Sequence, residues 1–133
     1  MDVSLGEREL DVLGVLWDGG PGTVADVRER LLAALEADLA YNTVLTVLRN
    51  LENKGVVDHR AEGRLHHYYA VVDKSSVQQR QLDRLVDKLY LGSPLSLMTH
   101  LVSRDSLSAD DVRALTDLLN ARLAQADGDG GAA

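Results

Sequence analysis

Ala40-Tyr41-Asn42-Thr43-Val44-Leu45-Thr46-Val47-Leu48-Arg49-Asn50-Leu51-Glu52-Asn53-Lys54-Gly55 carries the pattern from which the architecture of the chain can be worked out. Val44, Val47, Leu48 and Leu51 fall at i, i+3, i+4 and i+7, the apolar stripe of an amphipathic helix. The opposite face carries Asn42, Thr43, Leu45, Thr46, Arg49, Asn50 and Asn53, with no acid before Glu52. An ordinary solvated helix of an acidic protein mixes Glu and Asp with Lys on that face. Short amides and hydroxyls with a single Arg suit hydrogen bonds to base edges and phosphate oxygens, where a carboxylate would repel. The pattern implies a helix that reads DNA, and a plain polar surface is the competing explanation.

The rest of the composition sets limits. The chain has 133 residues, 45% of them hydrophobic, enough for one or two small domains with real cores. No apolar run approaches the roughly 18 residues of a membrane span, and no basic-then-apolar leader opens the chain, so no membrane insertion is expected. Cysteine is absent, which removes disulfides, thiolate metal sites and Cys nucleophiles and fits a cytoplasmic protein.

A net charge of −7 argues against nucleic acid until its distribution is considered. Residues 1–40 hold three arginines against nine acids, whereas residues 41–72 hold Arg49, Lys54, Arg60 and Arg64 against Glu52, Asp58 and Glu62. The acidic load is thus displaced from the candidate contact surface. One weakly positive module binds DNA poorly, so two copies are expected to act together.

Upstream, Ser4 with Glu7 reads as a capping box before a helix carrying Leu10, Leu13, Leu16 and Trp17. Asp18-Gly19-Gly20-Pro21-Gly22 breaks it. Thr23, with Asp26 three residues on, caps a second helix with Val24, Val27 and Leu31 inward. Gly55 closes the third helix. Val56–Arg60 and Leu65–Val71 then flank a polar turn at 61–64, which predicts a hairpin with Arg60 opposite Leu65 and His59 opposite His66. Three helices followed by a hairpin is the order of a winged helix-turn-helix. Arg60 and Arg64 flank the turn, where they would meet phosphates.

Downstream, Val77, Leu82, Leu85, Val86 and Leu89 mark a fourth helix, and Ser93-Pro94 starts a fifth. Leu95, Leu97, Met98, Leu101 and Val102 cover more than one side of the fifth, which predicts burial around most of its circumference. Ser108 with Asp111 caps a sixth carrying Val112, Leu115, Leu118, Leu119 and Leu123. Residues 73–126 bury too little alone to be comfortably stable, and a twofold homodimer supplies the missing surface. The candidate dimerisation residues are Val77, Leu82, Leu85, Val86, Leu89, Leu95, Met98, Leu101, Val102, Leu115 and Leu119. The expected organisation is a DNA-binding domain at 1–72, a helical dimerisation domain at 73–126 and a disordered tail at 127–133. The fold class is mainly α with one small β-hairpin.

No nucleophile motif, phosphate-binding loop or His-Glu-x-x-His occurs, so no enzyme activity and no cofactor are implied. His59, His66 and His67 suggest a metal only weakly. No Cys and no evident nearby carboxylate completes a tetrahedral set, and wing residues near DNA phosphates are the better account.

Leu10-Asp11-Val12-Leu13-Gly14-Val15-Leu16-Trp17, Tyr41 to Leu51 with Lys54-Gly55, His67-Tyr68-Tyr69 and Leu89-Tyr90-Leu91-Gly92-Ser93 together resemble the penicillinase repressor (BlaI/MecI) family, from about Ser4 to Leu123. The resemblance implies a cytoplasmic homodimeric repressor on a palindromic double-stranded DNA operator, associated in such families with antibiotic resistance. By position, Asn42, Thr43, Leu45, Thr46 and Arg49 would line the major groove, with Asn50, Arg60, Arg64 and His66 completing the contact set. Leu45 stands where many relatives are polar or basic, and contact with a thymine methyl fits it. The resemblance also implies a membrane sensor protease as upstream partner and a release bond at His100–Leu101, where cleaved relatives carry Asn and Phe. Copper release through a C-terminal Cys motif is excluded. A regulator sensing a small molecule or metal directly, and a winged-helix protein–protein adaptor, are the alternatives.

Overall fold

The computed structural model describes residues 4–131. Its elements run α1 (Glu7–Gly19), α2 (Val24–Leu35), α3 (Tyr41–Asn53), β1 (Val57–Glu62), β2 (Leu65–Ala70), α4 (Lys74–Leu89), α5 (Pro94–Ser103) and α6 (Ala109–Gly131). The chain divides into two compact units, Met1–Leu82 and Asp83–Ala133. The division falls inside α4 and not at residue 73, because Val77 in its first turns is buried and lines a pocket with Leu5, Val56 and Val72 of the first unit.

In the first unit each helix presents one apolar stripe to a shared core. Val12 and Leu13 of α1, Val27 and Leu31 of α2, and Val44, Leu48 and Leu51 of α3 are all fully buried, and Val57 and Tyr68 of the hairpin close the cluster. Each such side chain contributes about 1.5–3 kcal/mol relative to exposure. The Thr23 cap forms as expected, its hydroxyl accepting from the Asp26 N–H at 3.1 Å and its own N–H donating to Asp26 at 3.0 Å. That backbone donor holds the Asp26 carboxyl below its ordinary range against the effect of burial. Helix α1 starts later than the sequence suggested. Gly6, not Ser4, is its N-cap, and Glu9 accepts from the Gly6 N–H at 2.9 Å.

The cations of α2 serve the fold. Arg30 donates to the Gly20 carbonyl at 2.6 Å and the Pro21 carbonyl at 3.3 Å, clamping the α1–α2 turn. Arg28 donates to the Leu39 carbonyl at 2.7 Å and fixes the approach to α3. Gly55, at φ 79, takes the left-handed conformation that ends α3, and the Val56 N–H returns to the Leu51 carbonyl at 3.2 Å.

The hairpin register differs from the expectation. The turn is Gly63-Arg64 alone, so His59 pairs with Tyr68 and Arg60 with His67. Gly63, at φ 65, takes the positive φ that a two-residue hairpin turn needs, and the longer polar loop at 61–64 concealed this. Gly22 extends the sheet by one bridge, exchanging hydrogen bonds of 2.9 and 2.8 Å with Tyr68.

In the second unit the expected caps hold. Ser93 accepts from the Ser96 N–H at 3.1 Å, and Ser108 and Asp111 cap reciprocally at 3.1 Å each. Burial does not follow the expectation. On α5 only Leu97 is buried, whereas Leu95 is 75% and Val102 56% exposed, because one chain offers these side chains no covering surface. Helix α6 runs on to Gly131, past the tail expected to be disordered from residue 127. No proline interrupts its backbone ladder, which carries through Gly128 despite the low helix propensity of glycine. Residues 132 and 133 of that expected tail lie outside the described ones.

Leu48→Ala is expected to lower unfolding free energy by about 2–5 kcal/mol, measured by urea denaturation. A second expectation concerns Glu9. Burial works to raise its carboxyl, yet the Lys54 ammonium and the Gly6 N–H outweigh this and hold it below its ordinary 4.5. A depressed carboxyl stabilises the fold above its unfolded value and loses that contribution as pH falls through the folded one. The stability advantage of wild type over Glu9→Gln should therefore be full at neutral pH and vanish on acidification.

Candidate nucleic-acid interface

Helix α3 is anchored from below by Val44, Leu48 and Leu51, which leaves its other face to solvent. Asn42, Thr43, Thr46, Arg49 and Asn50 are all exposed, and Leu45 is half-buried against the core. Thr46 donates its hydroxyl to the Asn42 carbonyl at 2.9 Å, which sets its rotamer and leaves the oxygen lone pairs facing outward as acceptors. Arg49 has no ion-pair partner among the described residues.

The N-terminus of α3 is bare. Ala40 supplies no side-chain cap, and the first turn holds no acid. The Thr43 and Val44 N–H groups turn back to the Ala40 carbonyl at 3.1 and 3.2 Å. The N–H groups of Tyr41 and Asn42 are left for an external acceptor, and a helix N-terminus of this kind favours phosphate. Sequence reasoning passed over this feature. Its signal was Ala at a position where Thr23, Ser93 and Ser108 supply oxygen to other helices.

The wing meets α3 along one face. Thr23, Val24, Tyr41, Leu45, Arg49, Arg64, Leu65, His66 and Tyr68 line a groove between them. Arg49, Arg64 and His66 are thus brought together as expected. Arg60 is not. In the observed register it alternates to the opposite face of β1, 3.6 Å from Glu62 and over the Tyr69 ring at 5.9 Å. His67 shares that face, 3.4 Å from Glu62. Lys54, counted among the cations of residues 41–72, is engaged away from this face, since its ammonium donates to Glu9 at 2.6 Å and the Ser4 carbonyl at 2.7 Å. Burial, with Glu52 nearby, pushes the Tyr68 phenol up, so it stays neutral beside the groove.

The face beneath the wing also corrects the reading of the histidines. His59 and His66 are diagonal neighbours rather than direct partners, and their rings stack at 4.5 Å. The carboxylates thought missing are present: Glu52 contacts His59 Nδ1, and Asp58 accepts from the His59 N–H at 2.8 Å. Glu52 lies seven residues upstream on another element, which is why the hairpin pattern did not reveal it.

A three-helix unit with a wing and a bare, acid-poor third helix invites comparison with known proteins. A family model described as penicillinase repressor matches residues 5–121. The chain belongs to the penicillinase repressor family. It is 36% identical over 113 residues to the transcriptional regulator BlaI of Mycobacterium tuberculosis, covering 84% of this chain and 79% of that protein. To the methicillin resistance regulatory protein MecI of Staphylococcus aureus it is 23% identical over 116 residues, 87% of this chain and 93% of that one. A mutant form of MarR from E. coli superposes with a TM-score of 0.53 at 19% identity, over 90% of this chain and 79% of that one, a likeness of fold alone. As a member of the penicillinase repressor family, the protein is a winged-helix, DNA-binding transcriptional repressor. No helix among the described residues is long and apolar enough to cross a membrane.

Proposed function

We propose that the protein acts as a homodimer on a palindromic operator, each subunit laying α3 in the major groove while the wing touches adjacent backbone. One observation carries this reading: a helix held by fully buried Val44, Leu48 and Leu51 offers a polar, acid-poor face on which Arg49 has no carboxylate partner among the described residues. Asn42, Thr43, Thr46 and Arg49 supply base-reading groups, Arg64 and His66 approach phosphate, and the open N–H groups of α3 take a further phosphate. Leu45, half-buried in the groove lining, offers apolar contact to a thymine methyl.

Dimerisation through the second unit is supported by what it leaves uncovered. Leu89 is 71%, Leu118 66% and Leu119 63% exposed, more apolar surface than a soluble monomer ordinarily presents together. Leu82, Leu85, Leu95, Met98, Leu101 and Val102 remain candidates for the interface, with Leu115 half-covered. Val77 and Val86 leave the candidate set, since the chain itself already buries them. Release by a sensor protease at His100–Leu101 would act on a bond inside helix α5, with His100 Nδ1 and the Tyr90 hydroxyl hydrogen-bonded at 2.7 Å. Cleavage there requires α5 to open locally first.

Genomic fragments that copurify with the protein identify the operator, and binding to them is then compared with random duplex. Arg49→Ala should weaken specific binding by about 1–3 kcal/mol and relax preference at one base pair, whereas Arg64→Ala should mainly flatten the salt dependence. Equal losses on specific and random duplex from Arg49→Ala would demote that residue to a backbone contact. Sedimentation equilibrium should show a dimer, and Leu119→Glu with Leu89→Glu should shift it towards monomer. A wild-type chain that stays monomeric at operator-binding concentrations would remove the paired-half-site reading.

A further inference from the structure

Where α3 ends and the wing begins, three potential metal ligands converge. Glu52, Asp58 and His59 each direct one ligand atom into a space where all three lie within 4.8 Å of one another. The donors come from two different elements, α3 and β1. No Lys or Arg among the described residues pairs with Glu52 or Asp58; Glu52 meets the His59 imidazole, and Asp58 accepts from the His59 backbone N–H. The imidazole is held in place: its ring stacks on His66 with an interplanar angle of 19° and lies 5.4 Å from the ring of the buried Tyr68. Packing on these rings fixes the side of His59 on which Nδ1 meets Glu52.

We propose that Glu52, Asp58 and His59 form a divalent-cation site that ties the end of the recognition helix to the root of the wing. One imidazole nitrogen and two carboxylate oxygens without sulfur suit a borderline ion such as Zn²⁺, with water in the fourth position. Ligands about 2.0–2.2 Å from a tetrahedral zinc stand about 3.4 Å apart. Glu52 and His59, in direct contact here, therefore have to part to admit the ion, and Asp58, exposed at the start of the hairpin, is free to swing towards it. Binding replaces any proton on His59 Nδ1, which goes to solvent, and neutralises both carboxylates. Glu52 lies three residues beyond Arg49, so the ion also cancels negative charge next to the proposed contact face. That last consequence rests on the DNA-binding reading, whereas the site itself does not.

The test uses the full chain without an affinity tag and without DNA, so that its outcome is independent of operator binding. Zinc chloride is titrated calorimetrically, and thermal unfolding is followed with and without zinc. One equivalent per chain is expected, with a rise in Tm, because the ion binds only where both elements are in place. Glu52→Gln and Asp58→Asn should each weaken uptake by about tenfold or more and abolish the Tm rise. His67→Gln, whose ring meets Glu62 and none of the three ligands, should leave both unchanged. Asp58→Asn alters an exposed side chain and keeps the test valid if Glu52→Gln fails to fold. No zinc uptake by wild type, or uptake that Asp58→Asn leaves unaltered, would overturn the site and leave an ordinary Glu52–His59 contact.

Discussion

One helix has to satisfy two solvents at once, and the structure of the first unit follows from that constraint. Helix α3 commits Val44, Leu48 and Leu51 to a core built by α1, α2 and the hairpin, and this burial fixes the rotation of the helix about its axis. Once the rotation is fixed, Asn42, Thr46 and Arg49 have no alternative to the outer face. A polar face held by a rigid apolar one is already organised before any ligand arrives, so little ordering entropy remains to be lost on binding. The core and the binding face are two consequences of a single amphipathic period.

Charge is handled by allocation. The chain is acidic overall, yet the cations that might have been spent on phosphate are divided between tasks. Arg28 and Arg30 satisfy backbone carbonyls around α2, and Lys54 offsets Glu9. Arg60 meets Glu62 on the far side of the wing. Arg49 and Arg64 are left facing the groove, without carboxylate partners among the described residues. So sparse a positive surface per chain favours a symmetric pair of subunits over a single one, because doubling the contacts doubles the counterions released. The apolar surface of the second unit provides a physical reason for such a pair to form.

The wing root shows how a local arrangement can mix roles. His59 and His66 stack on the face that packs towards α3, while His67 and Arg60 turn the other way. A shift of one residue in the hairpin would turn one strand over relative to the other and bring His67 in place of His66 beside His59, since alternate residues point to opposite faces of a sheet. The two-residue turn at Gly63-Arg64 is therefore what decides which imidazoles lie near Glu52 and which near Glu62.

Elements with a local cause are legible in the order of residues alone. The 3.6-residue period of Val44, Leu48 and Leu51, the Thr23, Ser93 and Ser108 caps, and glycine at the end of α3 all act within a few residues, so their pattern is legible in one dimension. The family likeness is legible for the same reason, since it resides in contiguous runs such as Tyr41 to Leu51. Tertiary structure alone decided the rest. The hairpin register depended on which residues the core would accept, and the alternation that buries Val57 and Tyr68 turns Arg60 away from the groove. The partners of Lys54, 45 residues from Glu9, and of His59, on a different element from Glu52, depended on how α1, α3 and β1 pack. Side chains meet across space according to packing, and spacing along the chain carries no record of those meetings.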